Sequence, residues 1–284
     1  MRDHVLDGPH GPLRVRVYEP DRPAGPGLVW AHGGGFAAGE IDMPEADWVA
    51  RSFADRGIVV VSVDYSLAPF PRTWATDSAS PERPGVLYPV ASEEVEHAFR
   101  WAVGSGLAGG PWSIGGASAG GNLVTGATLR LSHGDGPVPA LAVLAYPTLH
   151  PVQGPPDAAL RAALDDDPDA DVFGPDPVRV MYENYLGGPA EAADVYAAPG
   201  TASVDELRRF PATIMINDEV DELRVSGEAF GAALQAAGVD LDISTEPGTR
   251  HGHLNRPEHP AATASIDRFA ARILATSPEN KEQS

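Results

Sequence analysis

Short, continuously apolar runs alternate along the chain with stretches whose apolar residues recur at helical spacing. Leu13, Val15 and Val17 alternate with Arg14, Arg16 and Tyr18, the period of a half-exposed strand. Residues 28–31 are apolar throughout and 58–63 are apolar but for Ser62, as buried central strands are. Between them, Trp48, Val49 and Phe53 mark a helix from about Pro44 to Gly57. Residues 73–85 read as a polar, proline-bearing loop. Ser92 is a good N-cap for the next helix, whose inner stripe is Val95, Phe99 and Ala102. A strand end at 112–115 leads to a helix carrying Leu123, Val124, Ala127 and Leu131. Further strands are predicted at 140–146, 212–216 and 239–243, with helices at 226–237 and 260–275. Residues 150–199 differ: two helices, 157–164 and 177–186, flank an acidic run at 165–171 that reads as a solvated loop, with no strand signal. Residues 277–284 are a polar tail expected to fray. Strands alternating with helices predict an α/β fold with a mostly parallel sheet and a helical insertion.

Composition narrows this little. At 284 residues with 43% hydrophobic content, one large domain is expected. The net charge of −20 argues against nucleic acid and anionic membranes as partners. The absence of cysteine removes thiol catalysis, thiolate metal sites and disulfides. Residues 1–9 have no apolar core of signal-peptide length, and no stretch reaches the length of a membrane span, so a cytoplasmic location is the default.

The chemistry centres on Gly116-Ala117-Ser118-Ala119-Gly120, a G-x-S-x-G segment between a strand and a helix. Small residues around a tight turn let one serine stand clear of the backbone. A serine nucleophile needs a base, a group to orient the base, and donors for the oxyanion. His251, after the last strand, is the candidate base, with His253 its competitor. The His-x-His pair also admits a metal reading, but ligands at convincing spacing are missing nearby. Asp221 is the candidate acid, with Asp218 and Glu219 as rivals in a loop of four carboxylates that reads as mostly solvated. Backbone N–H groups of Gly33, Gly34 and Ala119 are the candidate oxyanion hole. His32 reads as structural, and no Gly-Lys-Ser/Thr follows the glycines to make a phosphate loop.

These segments resemble the bacterial hormone-sensitive-lipase-like esterases (family IV) of the α/β-hydrolase fold, from about residue 28 to 275. His32-Gly33-Gly34-Gly35-Phe36 is similar to their oxyanion segment, Asp64-Tyr65-Ser66-Leu67-Ala68-Pro69 to D-Y-R-L-A-P, and Gly116 to Asn122 to G-D-S-A-G-G-N. Asp221-Glu222-Leu223-Arg224 resembles D-P-L-R and His251-Gly252-His253 resembles H-G-F, which implies Ser118, Asp221 and His251 as the triad. The resemblance implies an eight-stranded sheet with a small helical cap built from residues 1–12, 36–46 and 150–200, and pocket contacts from Phe36 and His253. The departures are Val225-Ser226 for an acidic pair, no glutamate after Pro69, Glu222 for proline and His253 for phenylalanine.

The expected activity is hydrolysis of short-chain carboxylic esters through an acyl-enzyme, with no cofactor and no metal. Two alternatives stand beside it. One is an amidase or deacetylase acting on a specialised metabolite with the same machinery. The other is a non-catalytic ligand-binding protein, as in plant hormone receptors of this fold that have lost a triad member. Dimers are common for such folds, and the sequence specifies no interface.

Overall fold

A computed structural model describes residues 1–71, 74 and 83–277. Most of the expected loop at 73–85 and nearly all of the polar tail lie outside the described residues. Eight strands form one sheet, in the order β1-β2-β4-β3-β5-β6-β7-β8. They are β1 (Arg2–Gly8), β2 (Gly11–Tyr18), β3 (Gly27–Ala31), β4 (Val59–Asp64), β5 (Trp112–Ala117), β6 (Ala142–Ala145), β7 (Thr213–Val220) and β8 (Leu241–Arg250). β1 pairs with β2, and β2 with β4, antiparallel; the other pairs are parallel.

The strand pattern explains the layers. Neighbouring residues on a strand point to opposite faces. Val29, Val61, Ile114, Leu144 and Met215 face one side and meet Val95 and Phe99 of α2 (Val90–Gly104), Leu123 of α3 (Ala119–His133) and Phe230 of α7 (Arg224–Ala236). Leu28, Trp30, Val60, Val143 and Ile214 face the other. There they meet Val49 and Phe53 of α1 (Asp47–Ala54), and Ile266, Phe269 and Ile273 of α8 (Pro260–Leu274). Both faces are covered, which is why the central strands are buried along nearly their whole length and are mostly apolar.

Several expectations need correction. Residues 2–8 are a sheet strand and not part of a cap: Leu6 is buried, and Asp3 reaches across to Arg14 and Arg16 on β2. Ser92 lies inside α2 rather than at its cap. The helix begins after Pro89, which has no N–H to lose at a helix start, and Glu93 N–H already donates to the Pro89 carbonyl. β7 and β8 run past the predicted ends at 216 and 243, because they continue to pair through Val220↔Arg250, with a register shift between Asp218 and Val220.

The stretch 150–200 is helical as expected. It carries α4 (Ala158–Asp166), capped by the Asp157 side chain on Leu160 N–H, and α5 (Pro175–Leu186), with no strand among the described residues. The short helix α6 (Val204–Leu207) follows it. Its acidic run is not simply solvated: Asp167 pairs with Arg250, and Asp171 with Arg161. Among the described residues no helix is long and apolar enough to cross a membrane.

Candidate active site

Ser118 sits between the end of β5 and the first residue of α3, at φ 52° and ψ −120°. That backbone is strained for a residue with a Cβ and persists only where the surroundings fix it. The flanking glycines are what allow it. A Cβ on Gly116 would come 2.5 Å from the Gly120 carbonyl oxygen, and one on Gly120 would come 2.2 Å from that of His32. Ser118 is left 7% exposed at the floor of a cavity.

Three loops at the carboxyl ends of the strands then converge. Ser118 Oγ lies 2.9 Å from His251 Nε2, and His251 Nδ1 lies 2.7 Å from Asp221 Oδ2. Asp221 is fully buried, and its other oxygen accepts the N–H of Leu223 at 2.9 Å. The rings of Phe173 and Tyr146 flank the imidazole, with centroids at 4.5 and 5.1 Å. Burial pulls the His251 pKa down. The charge and hydrogen bond of Asp221, with the charges of Asp218 and Glu45, outweigh it and leave His251 above its ordinary value.

The four carboxylates of the acid loop separate by partner. Asp221 bonds to His251, Asp218 to His253, Glu222 accepts Phe173 N–H at 2.7 Å, and Glu219 accepts Gly248 N–H at 2.7 Å. Three of the four are buried, against the expectation that most are solvated, because each has its own donor. Burial raises the Glu222 pKa, and the nearby charge of Asp171 raises it further. The metal reading of the His-x-His pair meets the same geometry. Asp218, Asp221 and His251 are close enough to share an ion, yet Asp221 and His251 are bonded to each other and Asp218 to His253.

The glycine loop after β3 needs one correction. Gly33, expected as an oxyanion donor, gives its N–H to Glu45 Oε2 at 2.6 Å. Gly34 and Gly35 line the cavity instead, and neither N–H bonds to a described residue. Gly34 has φ +121°, and a Cβ there would come 2.0 Å from the Ala38 carbonyl oxygen. Ala119 opens α3, where first-turn N–H groups have no helical acceptor. His32 is structural as expected: buried, with its pKa lowered by burial, it donates from Nδ1 to the Gly33 carbonyl and stacks on Tyr65.

The cavity has a volume of about 480 Å³, and its apolar lining includes Met43, Trp74, Phe173 and Met181. The expected pocket contacts Phe36 and His253 do not reach it. Phe36 is buried and stacked on Tyr185 at 4.1 Å, and His253 is buried against Asp218 and Ser265. Sequence reasoning missed Glu45. It is buried behind the glycine loop and also accepts Tyr146 O–H at 2.6 Å and Asn255 Nδ2–H at 3.0 Å. No motif or period singles it out.

A family model described as alpha/beta hydrolase fold matches residues 28–76 and 78–255, and the chain belongs to that family. The esterase LipI of Mycobacterium tuberculosis is 30% identical over 96% of this chain and 81% of its own length. The carboxylesterase NlhH of the same organism is 32% identical over 86% of this chain and 72% of its own. Among solved structures, the metagenomic carboxylesterase EstE1 superposes with a TM-score of 0.80 at 28% identity, covering 97% of this chain and 88% of that one. The esterase of Pyrobaculum calidifontis gives 0.79 at 29% identity, covering 96% and 85%. The resemblance to the hormone-sensitive-lipase-like esterases thus holds at the level of the family.

Proposed function

We propose that this chain is a carboxylic ester hydrolase in which Ser118 is the nucleophile, His251 the general base and Asp221 the orienting acid. The observation that carries the reading is the hydrogen-bonded series Ser118–His251–Asp221 at the floor of one cavity. His251 Nε2 takes the Ser118 proton as Oγ attacks the ester carbonyl. The carbonyl carbon becomes tetrahedral, and its oxygen takes up the negative charge. The N–H groups of Gly34, Gly35 and Ala119 receive that charge, in a site where such donors matter most. His251 then protonates the leaving alcohol. Water, activated by the same imidazole, attacks the acyl-enzyme and releases the acid. Asp221 holds Nδ1–H in place and stabilises the imidazolium.

Residues 150–200 and the loop at 36–46 act as a cap, since Phe173, Met181, Ala38 and Met43 wall the cavity. A cavity of about 480 Å³ with this apolar lining suits short acyl chains. The test is turnover of p-nitrophenyl acetate, butyrate, octanoate and palmitate by the parent and by Ser118→Ala. Turnover that falls with chain length and vanishes in the variant supports the reading. Ester turnover that survives in folded Ser118→Ala refutes it.

A further inference from the structure

The molecule holds a second aspartate–histidine–serine series, which the reaction above does not use. Asp218 Oδ1 is hydrogen-bonded to His253 Nδ1, and His253 Nε2 lies 2.9 Å from Ser265 Oγ. All three are buried, and Ser265 is fully so. Its order of groups repeats Asp221, His251 and Ser118, but its hydrogens run differently. Ser265 O–H donates to Glu246 Oε2 at 2.8 Å, and Glu246 is held by Arg268. A hydroxyl has one hydrogen, so toward His253 the Ser265 oxygen can only accept, and Nε2 must carry a proton. At the other ring nitrogen the Asp218 carboxylate also accepts. His253 therefore donates from both nitrogens, and the Asp218–His253 pair has no net charge. His251 differs because no other acceptor among the described residues captures the Ser118 hydrogen: Nε2 accepts it, and the Asp221–His251 pair keeps a charge of −1.

We propose that His253 is a positioning residue of the active site: its proton offsets the charge of Asp218, so that this second carboxylate faces His251 as half of a neutral pair and not as a free anion beside Asp221. This rests on the assignment of His251 as base. Asp218, Asp221 and His251 place ligand atoms within 4.8 Å of one another, and Asp218 is fully buried with Oδ2 unpartnered among the described residues. A bare carboxylate there would be a second anion beside His251 and would favour the protonated imidazole, which cannot act as a base. The other charged or titratable groups facing His251 are Asp221, Glu45 and Tyr146; those facing His253 are Asp218, Tyr146 and, through Ser265, Glu246 with Arg268. The phenylalanine of the resembling esterases at this position could not carry such a proton.

Two measurements on the full chain test the proposal. Histidine ¹⁵N spectra at about pH 8 should show one ring with both nitrogens protonated, assigned by its loss in His253→Phe or in Asp218→Asn/His253→Phe. If every histidine loses a proton by about pH 8, the proposal is overturned. In kinetics, the acid limb of kcat/KM for p-nitrophenyl butyrate should move up by about one pH unit in His253→Phe, a roughly tenfold loss on the acid side. The double variant should return the limb to the parent's position. A purely structural role would lower turnover at every pH and leave the limb in place, and that result, in a folded variant, also overturns the proposal. The proton count needs no turnover, so a failure of the esterase reading leaves it readable.

Discussion

Glu45 binds three donors from three different segments, and its loss should show in turnover before substrate affinity. Oε2 takes Gly33 N–H, while Oε1 takes Tyr146 O–H and Asn255 Nδ2–H. Glu45→Gln keeps the shape and halves the acceptors. With the amide oxygen toward Gly33, the new NH2 faces Tyr146 and Asn255. Tyr146 can turn to accept, and the Asn255 donor is orphaned. With the amide reversed, two donors face each other at Gly33, and the glycine loop is pushed off its seat. Hydrogen bonds to charged groups contribute about 1.5–3 kcal/mol each, so the variant should lose about 2–4 kcal/mol of stability. Gly34 and Gly35 follow Gly33 directly, and removing an oxyanion donor outright costs about 10²–10³ in turnover. A displaced donor is a partial loss, so kcat should fall about 10- to 100-fold. KM should stay within about threefold, because the oxyanion contact forms fully only in the transition state. Steady-state kinetics on p-nitrophenyl butyrate, beside urea denaturation, reads both quantities. A folded Glu45→Gln with kcat within twofold of the parent would refute the idea that this carboxylate sets the oxyanion loop.

Other predictions follow from the same contacts. Gly34→Ala should abolish turnover and lower the melting temperature, since its Cβ would lie 2.0 Å from a backbone oxygen at φ +121°; a thermal melt with an ester assay checks both. The acid limb of kcat/KM should lie above the ordinary histidine value of about 6.5, because activity needs neutral His251 and is lost as pH falls through its raised pKa; a pH–rate profile reads it directly. Glu222→Gln should keep an acceptor for Phe173 N–H and so retain activity. The raised Glu222 pKa means that the folded chain binds this proton more tightly than the unfolded one. Its stabilisation is present below the unfolded value and lost as pH rises through the folded one. The glutamine variant should therefore melt above the parent at pH 7, with the gap closing toward about pH 4.

How legible the site was depends on how local each constraint is. The elbow could be read because its demands fall on consecutive residues: Gly116 and Gly120 exclude a Cβ through backbone oxygens close by. Ser118, Asp221 and His251 were legible because each follows a strand, and strand ends share one edge of a parallel sheet. The central strands announced themselves by burial on both faces. β1 did not, because an edge strand with one buried leucine and exposed neighbours has little apolar signal. The oxyanion donors were placed one residue early, since three glycines in a row carry no mark of which N–H points where. That was decided by Glu45, whose role depends on Tyr146 and Asn255, 101 and 210 residues away. Phe36 and His253 were misplaced for a related reason: next to an active residue in sequence is not next to the cavity in space.

The two histidines make a broader point about buried polar groups. His251 and His253 lie on one loop, each bonded through Nδ1 to a buried aspartate and through Nε2 to a serine. Residue types and heavy-atom distances barely distinguish them. What separates them is the fate of one hydroxyl hydrogen. Ser265 spends its hydrogen on Glu246, so His253 must donate and becomes a fixed counter-charge. Ser118 has no such acceptor among the described residues, so His251 can accept and becomes a base. In a chain this acidic, burying Asp218 and Asp221 side by side would be costly if both were unpaired anions. The second series reduces that cost and keeps His251 free to accept a proton.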